Sequence, residues 1–184
     1  MPTAQLELLD TERRALLAAV ERVAAADRDR RPAPDTWSVA EILEHLATVE
    51  RSVARLIATR GREPLPDDAE PPVPLDDARI ARLRSRQRRI DVPDRMRPSG
   101  TLTAAAAMQA LDASRSALLD AVKNADPVAL DRRSYVHGVI GRIVLRDWIA
   151  FVAHHEARHA QQIHEIADLP RAANREPSAA GESV

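Results

Sequence analysis

The stretch HHEARHAQQIHEI, residues 154–166, holds four of the chain's six histidines. Its meaning depends on helix phase. Leu145, Trp148, Ile149, Val152, Ile163 and Ile166 recur at three- and four-residue spacing, which predicts an amphipathic helix over about 143–168 with one apolar stripe. Carried through the middle of the helix, the stripe passes positions 155, 156 and 159. His155 and His159 therefore stand where core side chains belong. His154 is turned roughly 100° away, toward a polar face shared with Arg158, Gln161 and Glu165, and His164 also lies off the stripe. Residues four apart project from one face on successive turns. Two imidazoles so placed can reach one metal ion at about 2.0–2.1 Å. As plain core groups, their ring nitrogens would each need a buried partner, and a metal satisfies one nitrogen of each ring.

A third ligand has to come from another helix. The best-marked helix start in the chain is Ser38-Val39-Ala40-Glu41, a capping box, with Trp37 and Ile42 at the positions of a hydrophobic staple. Ile42, Leu46, Val49, Val53, Leu56 and Ile57 form the inner face of this helix, and Gly61 marks its end. His45 lies beside Leu46 on the flank of that face and is the first histidine of the chain. His45, His155 and His159 are thus the candidate ligands of one divalent metal held between two helices. His137 falls in the preceding loop, near one end of that assembly.

Two further amphipathic segments complete the pattern. One covers about residues 3–27, with Leu6, Leu9, Leu16, Leu17, Val20 and Val23 on one side. The other runs from about 103 to 123, with Met108, Leu111, Leu118 and Val122 inward and Thr103 as N-cap. Between the second and third long helices the chain is rich in proline and charge over 63–100, with a short helix expected inside DDARIARLRSRQRRI (76–90). Residues 124–141 read as a loop. No segment alternates with period two for long enough to predict a sheet. The expected fold is an all-α four-helix bundle with a long crossover between helices 2 and 3, spanning 1–169. Residues 170–184, with little to bury, are expected to be disordered.

Composition narrows the function. Across 184 residues, 27 Lys and Arg stand against 28 Asp and Glu, so the chain as a whole is neither a nucleic-acid nor a membrane-surface binder. The basic stretch 79–90 follows the acidic residues Asp67, Asp68, Glu70, Asp76 and Asp77 and reads as part of a solvated connection. There is no cysteine, which excludes disulfides, thiolate metal sites and cysteine nucleophiles and fits a cytoplasmic protein. No apolar leader opens the sequence, and no apolar run nears the roughly 18 residues that span a bilayer.

His155-Glu156-Ala157-Arg158-His159 also matches the H-E-x-x-H pattern of zinc peptidases, with Glu156 in the position of the general base. The extended form of that motif fails, because Ala160-Gln161-Gln162-Ile163-His164 follows. A downstream glutamate ligand would have almost no ordered chain to come from.

With these residues in place, the chain resembles the DinB/YfiT-like family of metal-binding four-helix bundles. The likeness rests on DTWSVAEILEHLATVERSV (35–53), VPDRMRPSG (92–100) and VHGVIGRIVLRDWIAFVAHHEARHAQQI (136–163). Val144 stands where such proteins often have a capping Ser or Thr, and His137-Gly138 where His-Pro is common. The resemblance implies an up-down-down-up bundle, frequent homodimers, and a divalent metal, zinc or nickel, on His45, His155 and His159. It further implies a transferase that joins a low-molecular-weight thiol to a small-molecule electrophile. Glu156 is then a candidate catalytic base or an outer partner that orients a ligand ring. Gln162 occupies a family position without a derivable role. Trp37 and Trp148 read as staple and core. The alternatives are metal-assisted hydrolysis of a small molecule and a non-catalytic metal-binding or interaction bundle.

Overall fold

The computed structural model describes residues 2–63, 71, 73–87 and 91–169. Four long helices dominate these residues: α1 (Thr3–Glu21), α2 (Val39–Arg60), α4 (Ala104–Lys123) and α6 (Leu145–Ala167). The shorter α3 (Asp77–Arg84) and α5 (Pro127–Arg132) lie in the connections. The capping box is formed: the Ser38 hydroxyl accepts from the Glu41 amide at 3.1 Å, and the Glu41 carboxylate accepts from the Ser38 amide at 2.9 Å. Thr103 caps α4 as expected, accepting from Ala106 N–H at 3.3 Å.

Helix directions follow from side-chain pairs. Arg13 meets Glu156 and Arg22 meets Asp168, so α1 and α6 run parallel. Glu50 meets Ser114, and the Asp126 amide reaches Gly61 O at 2.8 Å, so α2 and α4 are parallel too. Arg13 also meets Glu50, while the end of α1 leads into the start of α2, so those two are antiparallel. The order is up-down-down-up, and the crossover between α2 and α4 makes it possible. The core between the helices is aliphatic, with Leu9, Leu16, Ile42, Leu111, Leu118 and Ile163 almost wholly buried.

Three local expectations are corrected. The first helix stops at Glu21 rather than near residue 27. The amides of Arg22 and Val23 bond to Ala19 O and Val20 O in tighter i→i−3 turns, and Ala24 is extended before a 3₁₀ turn over Ala25–Asp27. Residues 124–141 are not all loop. Asp126 caps α5 by accepting from Val128 N–H at 2.9 Å, with Pro127 at its first position. A two-stranded antiparallel hairpin, β1 (Ser134–His137) and β2 (Gly141–Val144), then leads into α6. Its strands are too short for alternation to show. Gly141 closes the hairpin at φ +76°, a conformation that favours glycine.

His154 and Arg158 are the third correction: each is 6% exposed rather than on a solvated face. The connection before α4 covers them. Leu83 of α3 is buried, Arg84 pairs with Glu12, and Arg86 pairs with Glu165 at 2.7 Å, so α3 lies over that side of α6. The same connection is tied at its start by Val144 N–H to Val73 O at 2.9 Å and Leu75 N–H to the Asp147 carboxylate at 2.8 Å. Residues 170–184, expected to be a disordered tail, lie outside the described residues.

Candidate metal centre

His45 of α2 and His155 and His159 of α6 converge, with one ring nitrogen of each inside a common 4.8 Å sphere of separation. His45 Nε2 lies 3.3 Å from His155 Nε2, and His159 Nε2 lies 3.2 Å from the same atom. Metal–nitrogen bonds of about 2.0–2.1 Å at tetrahedral angles put ligand nitrogens roughly 3.3–3.4 Å apart. These two separations therefore fit one ion.

The opposite ring nitrogens sharpen the fit. His45 Nδ1 lies 2.7 Å from Met96 O, which can only accept, so Nδ1 carries the proton and Nε2 bears a lone pair. His159 Nδ1 likewise donates to Gln162 Oε1 at 2.9 Å. Two bare Nε2 atoms thus face His155 Nε2. A proton on His155 Nε2 can point at only one of them, whereas a cation between the rings satisfies all three. Burial, foremost, depresses the pKa of His45, and that of His155 and His159 strongly; for the latter two the neighbouring rings add to the effect. All three rings are held neutral, as ligands must be.

The aromatic residues gather here. The chain has two Trp, one Phe and one Tyr; two of these four rings border the cluster and a third packs one layer behind. Trp37 lies 4.9 Å from the His45 ring and 6.3 Å from His159, and Phe151 stacks on His155 at 5.5 Å with Trp148 against it at 5.7 Å. The staple and core readings of Trp37 and Trp148 hold as packing; Trp37 also flanks the site, whereas Trp148 reaches it only through Phe151. His45 and His159 are buried and His155 is half-buried, the one ring of the three that keeps some contact with solvent. Two surface clefts, of about 410 and 310 Å³, are lined by other residues and include no histidine.

Glu156 is 1% exposed and turns to a different set of partners. Its Oε1 accepts from Arg13 at 2.7 Å and Arg115 at 3.0 Å. Those arginines also hold Glu50, at 2.9 and 2.6 Å, and Ser114 donates to Glu50 at 2.6 Å. The quartet draws one charge from each long helix and sums to zero. Burial pushes the Glu156 carboxyl up, and the two guanidiniums pull it back. His164 pairs with Arg22 at 2.8 Å at the far end of α6.

Three features of the site escaped the sequence reading. Gln162 follows His159 by three residues on one helix face, a spacing that could have revealed the pair. Arg13 and Glu50 interrupt apolar stripes, the visible trace of the quartet. Met96 contributes a backbone carbonyl, which leaves no side-chain signature.

No helix among the described residues is long and apolar enough to cross a membrane. The uncharacterized protein YuaE of Bacillus subtilis (strain 168) is 26% identical over 140 residues, which make up 75% of this chain and 82% of that protein. The crystal structure of TT2238, a four-helix bundle protein, matches with a TM-score of 0.58 at 23% identity, covering 90% of this chain and 99% of that one. That likeness speaks to the fold alone. The model of the DinB superfamily matches residues 8–163, which take in most or all of each long helix and all three histidines of the cluster, and the chain belongs to that superfamily.

Proposed function

We propose that this protein is a cytoplasmic metal-dependent transferase that joins a low-molecular-weight thiol to a small electrophile. The observation that carries the metal part is the convergence of three neutral imidazoles, two with their Nε2 lone pairs fixed by Met96 and Gln162. His45, His155 and His159 would hold one divalent ion, zinc or nickel. When bound, such an ion supplies Lewis acidity that lowers a thiol's pKa and holds its thiolate. A chain without cysteine leaves the sulfur to the substrate.

The protein's own groups have distinct tasks in this reading. Met96 O and Gln162 Oε1 hold two rings in the tautomer that presents Nε2, an outer layer of partners that commonly matters for affinity. Trp37 screens the His45 and His159 side from water, and the half-buried edge of His155 leaves the approach for substrate. Of the roles considered for Glu156, its contacts support positioning: bound between Arg13 and Arg115, it sets the rotation of α6 and so the placement of His155 and His159.

The test is substrate depletion by the metal-reconstituted protein, with electrophiles offered in the presence and absence of thiols. Consumption only with thiol supports the transferase. Consumption without thiol makes the protein a hydrolase, and no consumption with one metal bound per chain makes it a non-catalytic bundle.

A further inference from the structure

His137 is used by neither the metal cluster nor the ion quartet, yet it packs on the ring that borders His155. It ends β1, opposite Gly141 in the hairpin register. Its ring lies 4.4 Å from Phe151 and 5.4 Å from Trp148. Phe151 in turn stacks on His155, 17° from parallel. A single aromatic ring therefore separates His137 from a metal-ligand candidate.

The hairpin also settles which nitrogen His137 offers. The backbone N–H of Val139 donates to His137 Nδ1 at 3.1 Å. An acceptor Nδ1 in a neutral imidazole puts the proton on Nε2. Among the described residues no acceptor takes that Nε2–H, and the side chain is half-exposed. The result is an oriented, neutral donor on an aromatic wall. Glu156, by contrast, is enclosed by arginines and has no such access.

We infer that His137 anchors the substrate: its Nε2–H donates to a carbonyl or carboxylate oxygen on a ligand whose apolar, preferably planar, body rests against Trp148. This names a substrate class for the site proposed above and rests on that reading for its catalytic meaning, though the binding itself does not require turnover. The inference also gives the hairpin a purpose. It holds a donor at a fixed place beside α6.

The probe is acetophenone, a neutral planar ketone, set against its oxygen-free isostere α-methylstyrene, both titrated into the metal-loaded full-length protein. Imidazole ¹⁵N spectra should show His137 as the Nε2–H tautomer, and acetophenone alone should shift that nitrogen. One neutral hydrogen bond corresponds to roughly a 3- to 10-fold preference for the ketone. His137→Phe should abolish that preference while leaving α-methylstyrene binding unchanged, and His137→Gln, which keeps an N–H donor, should restore part of it. Metal stoichiometry and thermal midpoint are measured in each variant. A retained preference in His137→Phe, equal binding of the two probes to the parent, or an Nδ1–H tautomer each overturns the inference. Loss of metal from the parent protein would instead strike at the metal site and leave the probe comparison readable.

Discussion

His45 and His155 belong to antiparallel helices and are separated by 110 positions in the chain, yet their Nε2 atoms are 3.3 Å apart. That pair, closed by His159 one turn along α6, is the arrangement on which the metal site depends. His45→Ala and His155→Ala should each lower divalent-metal affinity by more than about 100-fold, beyond the 10- to 100-fold typical of losing an outer partner. Calorimetric titration measures this, and a His45→Ala variant that binds as tightly as the parent would remove His45 from the site.

Adjacent His154 gives the control. It lies under α3 with its Nδ1 buried and without a hydrogen-bond partner among the described residues, outside the ligand cluster. His154→Ala should leave metal affinity within a few-fold while costing about 1–2 kcal/mol of stability, as truncations at well-packed positions do. Equal metal losses in His154→Ala and His155→Ala would show that the ring positions in α6 are misassigned.

Gln162 tests the outer layer. Without its Oε1, His159 Nδ1 has no fixed acceptor, and the tautomer that presents Nε2 loses its support. Gln162→Ala should weaken metal binding by about 10- to 100-fold, and Gln162→Glu, which keeps an acceptor, should not. The comparison requires only metal titration of folded protein.

The ion quartet predicts a stability effect larger than its effect on metal binding. Removing one partner of a buried pair leaves its neighbours charged and uncompensated, at a cost of about 3–5 kcal/mol. Glu156→Ala should therefore lower the denaturation midpoint sharply, since Arg13 and Arg115 both lose an oxygen. The folded fraction should still take up one metal per chain at saturation, but more weakly, because His155 and His159 lose the contact that sets the rotation of α6. Undiminished stability in urea would mean that the quartet contributes little to holding the helices.

Acidification should destabilise the metal-free protein. Burial depresses the pKa of His45, His155 and His159 in the folded state, whereas in the unfolded chain each titrates near 6.5. Below about pH 6.5 the unfolded state binds protons first, so this stability contribution is complete above that pH and declines as pH falls toward the lower folded values. Thermal midpoints of metal-free protein between pH 7.5 and 5 check the sign. The slope should flatten in His155→Gln, and an unchanged slope there would assign the pH dependence to other groups.

Periodicity sufficed for much of this protein. The apolar stripes, the capping box at Ser38 and the length of the central connection were enough to read four helices with a crossover between the second and third, because a helix face is a property of spacing within one segment; the up-down-down-up order was implied only by the family resemblance. The i, i+4 pair His155 and His159 was legible for the same reason, and His45 followed from its place on a neighbouring inner face. Position 156 was also read as inward, but its charge partners were not. The hairpin before α6 stayed hidden because strands of four residues carry too little pattern.

What remained required the tertiary structure. That Glu156 meets Arg13 and Arg115, that Met96 lends its carbonyl to His45, and that α3 buries His154 all depend on which segments become neighbours in space. A sequence determines the faces of its own helices through local geometry. Only packing decides what each face meets, because contacts between distant segments arise from the whole fold minimising exposed apolar surface and unpaired charge together.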